Sequence, residues 1–229
     1  MSAPILILGA LEGEIQAYQK ASNSQIDLRW SYIKFYKGIL DGKNIVFAAT
    51  GVGKSLAAMA TQKAIDTYHP RYILFTGLAG ALNPSYQIGD IILAKETMMH
   101  DMNVTSLGFE RGEIPYAHIR MIPADPTLLQ LAQSYTAPQG RICVGRVLTG
   151  DTFVSTQHKN ELRDELGGDA VEMEGASVAL VAHQNQIPHL IIRIISDQAD
   201  GQAKIDFERF LPQASAQLLI LVQHTIQNL

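Results

Sequence analysis

Cysteine, charge and long apolar runs are all scarce in this chain, and each shortage removes a class of protein. A single cysteine, Cys143, among 229 residues leaves no partner for an intramolecular disulfide and no thiolate set for a structural metal. A reducing, cytoplasmic setting is expected. Charged residues make up 17% of the chain, and the 18 Lys and Arg fall short of the 22 Asp and Glu, a formal charge of -4. Proteins that grip phosphate backbones usually carry a basic excess, so neither nucleic acid nor an anionic membrane surface is an expected partner. The longest apolar stretches, such as Leu190 to Ile195 with Arg193 inside it, are far below the roughly 18 residues of a spanning helix. The first residues lack the basic region of a secretory signal.

What is present is an ordinary apolar content, 47%, in the range of a folded globular chain rather than a disordered one. Short apolar runs recur and end in small or acidic residues: Ile5–Leu8, Ile45–Ala49, Tyr72–Phe75, Ile91–Ala94, Ile142–Val144 and Leu190–Ile195. Strands apolar on both pleat faces are covered on both sides, as in helix-layered sheets. Between them, Ser55–Tyr68 has helical spacing and stops before Pro70; Asp125-Pro126 is a helix cap followed by proline at the first helical position. Glu174–Asn185 and the tail from Phe207 to Gln227 complete the helices. The expectation is one α/β domain over residues 1–229, three-layered, with a mixed central sheet flanked by helices. The stretch from His100 to Ile122 has neither period and reads as a long ordered loop, a lid or a subunit contact.

Two familiar motifs fail on inspection. Gly51-Val52-Gly53-Lys54-Ser55 has the tail of a P-loop but Ala48 where the first glycine is required; its glycines instead let backbone approach a ligand, with Lys54 solvated. Gly175-Ala176-Ser177-Val178-Ala179 lacks the second glycine of a nucleophile elbow. The seven histidines are scattered, with no His-Glu-x-x-His, and neither metal nor cofactor is expected. The acids are more informative. Glu12 and Glu14 follow the first strand, Glu172 and Glu174 flank Met173, and Asp197 ends the strand Leu190–Ile195. Ligand crevices of open α/β sheets lie at carboxyl ends of strands, where acids from several strands converge. Arg193, inside an apolar strand, needs a buried acidic partner; Glu14 and Glu174 are the candidates.

Gly9-Ala10-Leu11-Glu12-Gly13-Glu14, Thr50-Gly51-Val52-Gly53-Lys54, Thr76-Gly77-Leu78-Ala79-Gly80, Thr149-Gly150-Asp151-Thr152-Phe153, Val171-Glu172-Met173-Glu174-Gly175-Ala176 and Ile195-Ser196-Asp197 occur in the order and spacing of the bacterial 5'-methylthioadenosine/S-adenosylhomocysteine nucleosidases. The chain resembles that family over nearly its whole length. The resemblance implies a purine nucleoside phosphorylase-like fold and hydrolysis of the N-glycosidic bond of both nucleosides, with release of adenine. It implies that Glu14 activates water with Arg193 orienting it, that Asp197 protonates adenine N7, and that Glu174 holds the ribose hydroxyls while Met173 packs on the sugar. Phe153 would stack on the base and the backbone of Val154 read its edge; Leu11, Val52 and Phe207 would wall the 5' thio group. Glu172, Leu78, Ala79, Gly80 and Ser196 would line the remainder. Val104, Leu107, Phe109 and Pro115, from the 100–122 loop, would reach the site of the other subunit of a homodimer. Leu78 stands where the family usually has serine, Ala81 replaces a glycine, and Leu11 stands where methionine is common. The alternatives are a phosphorylase on the same fold, a hydrolase of 6-amino-6-deoxyfutalosine, and a nucleoside-binding protein without turnover.

Overall fold

A computed structural model describes residues 3–154, 156–199 and 204–229, with side chains at 3–154, 158–199 and 210–229. In chain order the elements are β1 (Ile5–Gly9), α1 (Glu12–Ala21), β2 (Gln25–Trp30), β3 (Ile33–Leu40), β4 (Lys43–Ala49), α2 (Lys54–Tyr68), β5 (Tyr72–Ala81), β6 (Ile91–Met99), β7 (Ile122–Pro123), α3 (Pro126–Gln133), β8 (Ile142–Thr149), α4 (Thr156–Asp164), β9 (Ala170–Glu172), α5 (Gly175–Gln184), β10 (His189–Asp197) and α6 (Lys204–Gln227). The six apolar runs are β1, β4, β5, β6, β8 and β10, and the four expected helices are α2, α3, α5 and α6. Local signals set their ends. The Asp125 carboxylate accepts the Leu128 amide at 2.9 Å to cap α3, and α2 stops at His69, in left-handed backbone, ahead of Pro70.

All ten strands join one mixed sheet in the order β10-β6-β8-β9-β5-β1-β4-β3-β2, with β7 on β6. Strand β10 also pairs with β5, so β10, β6, β8, β9 and β5 close into a ring. The apolar strands obey their period of two. In β1, Leu6 and Leu8 face a core shared with Ala57, Ala60 and Ala64 of α2 and Val178, Ala179 and Ala182 of α5. Ile5 and Ile7 face the opposite core, against Ile15 and Tyr18 of α1, Leu128 of α3 and Leu218 and Leu221 of α6. Helices therefore cover both sheet faces, the three-layer arrangement that two-sided apolar strands require. A smaller cluster joins Val154, Leu162, Leu166, Val171 and Ala199 beneath the end of β10. Among the described residues no helix is long and apolar enough to cross a membrane.

Elements β2, β3, β7, β9, α1 and α4 lie outside the sequence expectation. The β2–β3 hairpin is an antiparallel edge whose β2 residues are mostly exposed, so no two-sided apolar run marks it. Helix α1 buries only Glu14, Ile15 and Tyr18, and one of those three is an acid. The 100–122 segment is ordered by its own contacts: a 3-10 turn at Thr105–Leu107, a bridge between Ile114 and Ile119, and an edge-on pair of Phe109 and Tyr116 rings 5.4 Å apart.

Candidate active site

A cavity of about 250 Å³ opens where the carboxyl ends of β1, β5, β8, β9 and β10 meet. Leu11, Glu14, Val52, Leu78, Ala79, Gly80, Phe153, Val154, Glu172, Met173, Glu174, Ser196 and Asp197 line it together with Ala10, Thr152, Val171 and Ala199. Every acid singled out from the strand ends, Glu12 excepted, faces this space. Phe207 lies outside the described side chains. Val104, Leu107, Phe109 and Pro115 do not line the cavity of their own chain.

One end of the cavity is sealed and polar. Glu14, on the first turn of α1, is 4% exposed, and its carboxylate accepts the amides of Ala10 at 2.6 Å, Leu11 at 2.9 Å and Leu78 at 3.0 Å. Burial drives its pKa above the usual carboxylate range, against the opposing pull of Arg193 and the three amides. Glu174 accepts the Gly53 amide at 2.8 Å. Its pKa is pushed up to about 7 by burial and then by the charge of Glu172, with Arg193 acting in the opposite direction. Both carboxyls thus hold a proton more readily than an exposed one, and Glu174 does so in the neutral range, where a carboxylate is useful as a base or as a switchable hydrogen-bond partner.

Arg193 is fully buried and pairs with Glu174, as expected, but its closer partner is Glu172, which the sequence reading did not name, and Glu14 is not a partner. Its Nη2 donates to Glu172 Oε2 and lies 3.7 Å from Glu174 Oε2; no ion pair to Glu14 forms within 4.0 Å. Register explains the choice: Arg193 lies beside Gly77 of β5, and a side chain on Gly77 would collide with both Arg193 Nη1 and Glu14 Oε1. Gly77 thus makes room for the charged cluster, and the guanidinium rests on the Phe75 ring at 4.2 Å, a favourable placement for a cation. Glu172 lines the cavity, yet its oxygens are taken up by the protein: they accept the Glu174 amide at 3.0 Å, the Gly175 amide at 2.7 Å, the Thr149 hydroxyl and Arg193. Thr149 Oγ1 in turn accepts the Ala176 amide at 2.8 Å. The two side chains satisfy the free amides that open α5, as a helix N-terminus requires. Thr149 sat inside a quoted motif without a role; only the fold shows that its hydroxyl meets α5.

The amino end of α2, where a P-loop would bind phosphate, is likewise occupied by the protein's own acids. Gly53 and Lys54 donate their amides to Glu174 and to Asp151 at 2.8 Å each. Lys54 Nζ is not solvated as expected: it is paired with Asp101 at 2.6 Å and lies 3.8 Å from Asp151.

The other end of the cavity is open. Phe153 is 64% exposed and Val52 48%, an unusual cost for apolar side chains at a cavity mouth. Asp197 is half-buried at the end of β10, accepting the Ser196 hydroxyl at 2.7 Å and the Ala199 amide at 2.8 Å. The second bond holds Ala199 at φ 51°, a left-handed conformation that costs an L-residue about 1–2 kcal/mol. A Cβ on Gly80 would approach Asp197 Oδ1 and the Ala199 Cβ to 3.0 Å each, so glycine at 80 lets this turn sit against β5. Among the described residues no group of acids, histidines and cysteines could hold a metal ion.

The comparisons agree with this architecture. Residues 4–227 match the phosphorylase superfamily model. The 5'-methylthioadenosine/S-adenosylhomocysteine nucleosidase of Staphylococcus carnosus is 35% identical over 228 residues, covering 97% of this chain and 99% of its own. The crystal structure of the nucleosidase of that name from Neisseria meningitidis, in complex with methylthio-immucillin-A, is 32% identical with a TM-score of 0.93 over the whole of both chains. A futalosine hydrolase from Helicobacter pylori is 30% identical, with a TM-score of 0.92 over 99% of this chain and 98% of that one. Fold, strand-end cavity and these likenesses together place the chain in the phosphorylase superfamily, in the family of the 5'-methylthioadenosine/S-adenosylhomocysteine nucleosidases.

Proposed function

We propose that this chain hydrolyses the N-glycosidic bond of 5'-methylthioadenosine and S-adenosylhomocysteine and releases adenine. The observation that carries the reading is the division of acids around one cavity: Glu14 and Glu174 buried at its sealed end, Asp197 at its open end. Hydrolysis needs that division. When the bond from the sugar anomeric carbon to N9 breaks, its electron pair leaves with adenine, a poor anion unless N7 gains a proton, and the sugar becomes cation-like. Asp197 supplies the N7 proton. Glu14 takes a proton from the water that attacks the sugar carbon, and the charge of the sealed end stabilises the oxocarbenium-like state. Glu174 accepts from the ribose hydroxyls, Met173 covers the sugar, Phe153 stacks on the base and the Val154 backbone reads its edge. Arg193 and Glu172 hold the carboxylates in place rather than meeting substrate. Action in a reducing cytoplasm accords with the lone Cys143.

The open mouth at Val52 and Phe153 supports a homodimer in which Val104, Leu107, Phe109 and Pro115 of a second copy finish the 5' end of the pocket. Leu107 is 68% exposed, as a residue kept for another surface would be. A phosphorylase reading is disfavoured by the same geometry. Phosphate would need a free cationic cluster, whereas no arginine lines the cavity among the described residues and the nearby Arg193 is spent on Glu172. The likeness to a futalosine hydrolase supports a second substrate, 6-amino-6-deoxyfutalosine, differing at the 5' end where the pocket is open. Adenine release measured by chromatography with and without phosphate tests the reading. Release without phosphate is expected; strict phosphate dependence, with the sugar 1-phosphate as product, would overturn it.

A further inference from the structure

Outside the carboxylates already assigned, one cation reaches the segment that carries Asp197. Lys159, on α4, donates its ammonium to the main-chain carbonyl of Gln198, the residue directly after Asp197. Helix α4 follows Phe153 and Val154 at a distance of two residues, and its Leu162 packs with Val154 and Ala199 in one buried cluster. The helix is thus anchored beneath the 197–199 turn by apolar contact and tied to its backbone by a charged donor. The turn needs such a tie. Ala199 is held in left-handed backbone, and the bond that holds it is made by the Asp197 carboxylate itself, through Oδ1 and the Ala199 amide. A carboxyl that shifts to meet a base would loosen its own support. The Gln198 side chain, donating to the Tyr86 carbonyl at 3.1 Å, fixes the same residue from the other side.

We propose that Lys159 is a positioning residue for Asp197: its hydrogen bond to the Gln198 carbonyl keeps the 197–199 turn in place while the Asp197 carboxyl serves the substrate, and it makes the base-stacking segment and the acid move as one wall. A hydrogen bond with an ionised partner is about twice as strong as a neutral one; the Lys159 bond keeps its charge when Asp197 is protonated, whereas the bond inside the turn loses its own. The role rests on Asp197 being the acid. Lys159 lies on a helix of strongly polar composition, so sequence alone gives no reason to choose it.

Single-turnover adenine release by Lys159→Met, Lys159→Arg and Asp197→Asn, and by Lys159→Met combined with Asp197→Asn, tests the proposal alongside thermal unfolding of each. Lys159→Met should lower the chemical rate about tenfold, the loss of one charge-assisted hydrogen bond, with KM and Tm little changed. Lys159→Arg should recover most of the rate, and in the Asp197→Asn background Lys159→Met should cost nothing more. An unchanged rate in Lys159→Met, an arginine variant no better than methionine, or the same loss in both backgrounds would overturn it. Native-like turnover by Asp197→Asn alone would instead overturn the acid assignment beneath it.

Discussion

The two ends of the cavity are built on opposite plans. At the sealed end, Glu14, Glu172, Glu174 and Arg193 are each at least nine-tenths buried, and the carboxylate oxygens meet main-chain amides, a threonine hydroxyl and the Arg193 guanidinium. At the open end, Asp197 is half-buried, Phe153 and Val52 face outward, and the loop expected to finish the wall lies elsewhere. On the proposed mechanism the contrast means that charge is fixed in advance where the sugar cation develops, since reorganising buried dipoles during turnover is costly. Apolar walls, which need only contact, can be supplied later by a substrate or a second copy. It also separates acids of like composition into different tasks. Glu172 has its acceptors filled and supports structure; Glu14 and Glu174 are held above the usual carboxylate range by burial that their partners do not fully offset, Glu174 at about 7.

The comparison breaks first at Glu14. If the sealed end holds the base, Glu14→Gln should lower kcat by about 10²–10⁴ with the fold retained by circular dichroism; a loss under threefold would move the base elsewhere. Removing Glu172 should act on stability instead. Glu172→Ala leaves Arg193 with only its longer contact to Glu174 and the Glu174 and Gly175 amides without an acceptor, and breaking a buried pair from one side costs about 3–5 kcal/mol, readable in urea unfolding.

A sharper contrast comes from pH. Because the Glu174 pKa is raised from 4.5 to about 7 in the folded state, the folded chain binds more protons than the unfolded chain in that interval. This contribution to stability is complete below pH 4.5 and is lost as pH rises through about 7. Glu174→Gln should flatten that fall and raise Tm at pH 8 relative to the native protein, while weakening substrate binding. A native Tm that rises between pH 5 and 8 with no change of slope in Glu174→Gln would contradict the burial account. The smallest effect is expected at the open end: Phe109→Ala should weaken both substrate affinity and self-association in sedimentation, and no change in either would remove the shared-site idea.

How much of this was legible beforehand follows from the same physics. Strands buried on both faces announce themselves as apolar runs, so β1, β4, β5, β6, β8 and β10 could be placed, and acids at their ends could be gathered into one site. The β2–β3 hairpin and the polar helices α1 and α4 carry no such run, because most of the residues described in each are exposed or only partly buried. Partnerships were harder than positions. That Arg193 needed an acid follows from its apolar strand. That the acid is Glu172 depends on the pairing of Arg193 with Gly77 and of β9 with the end of β5, contacts between strands far apart in the chain. Lys54 was misjudged for the same reason, since Asp101 and Asp151 reach it from distant loops.

The central claim is that acids at the two ends act together to cleave a glycosidic bond with water. Its most direct test is adenine release from 5'-methylthioadenosine by the native protein and by Asp197→Asn, in phosphate-free buffer, with ligand binding by both measured calorimetrically. The account predicts steady release by the native protein and near-complete loss in Asp197→Asn with binding retained. Native-like release by Asp197→Asn, or binding without any release by the native protein, would contradict it.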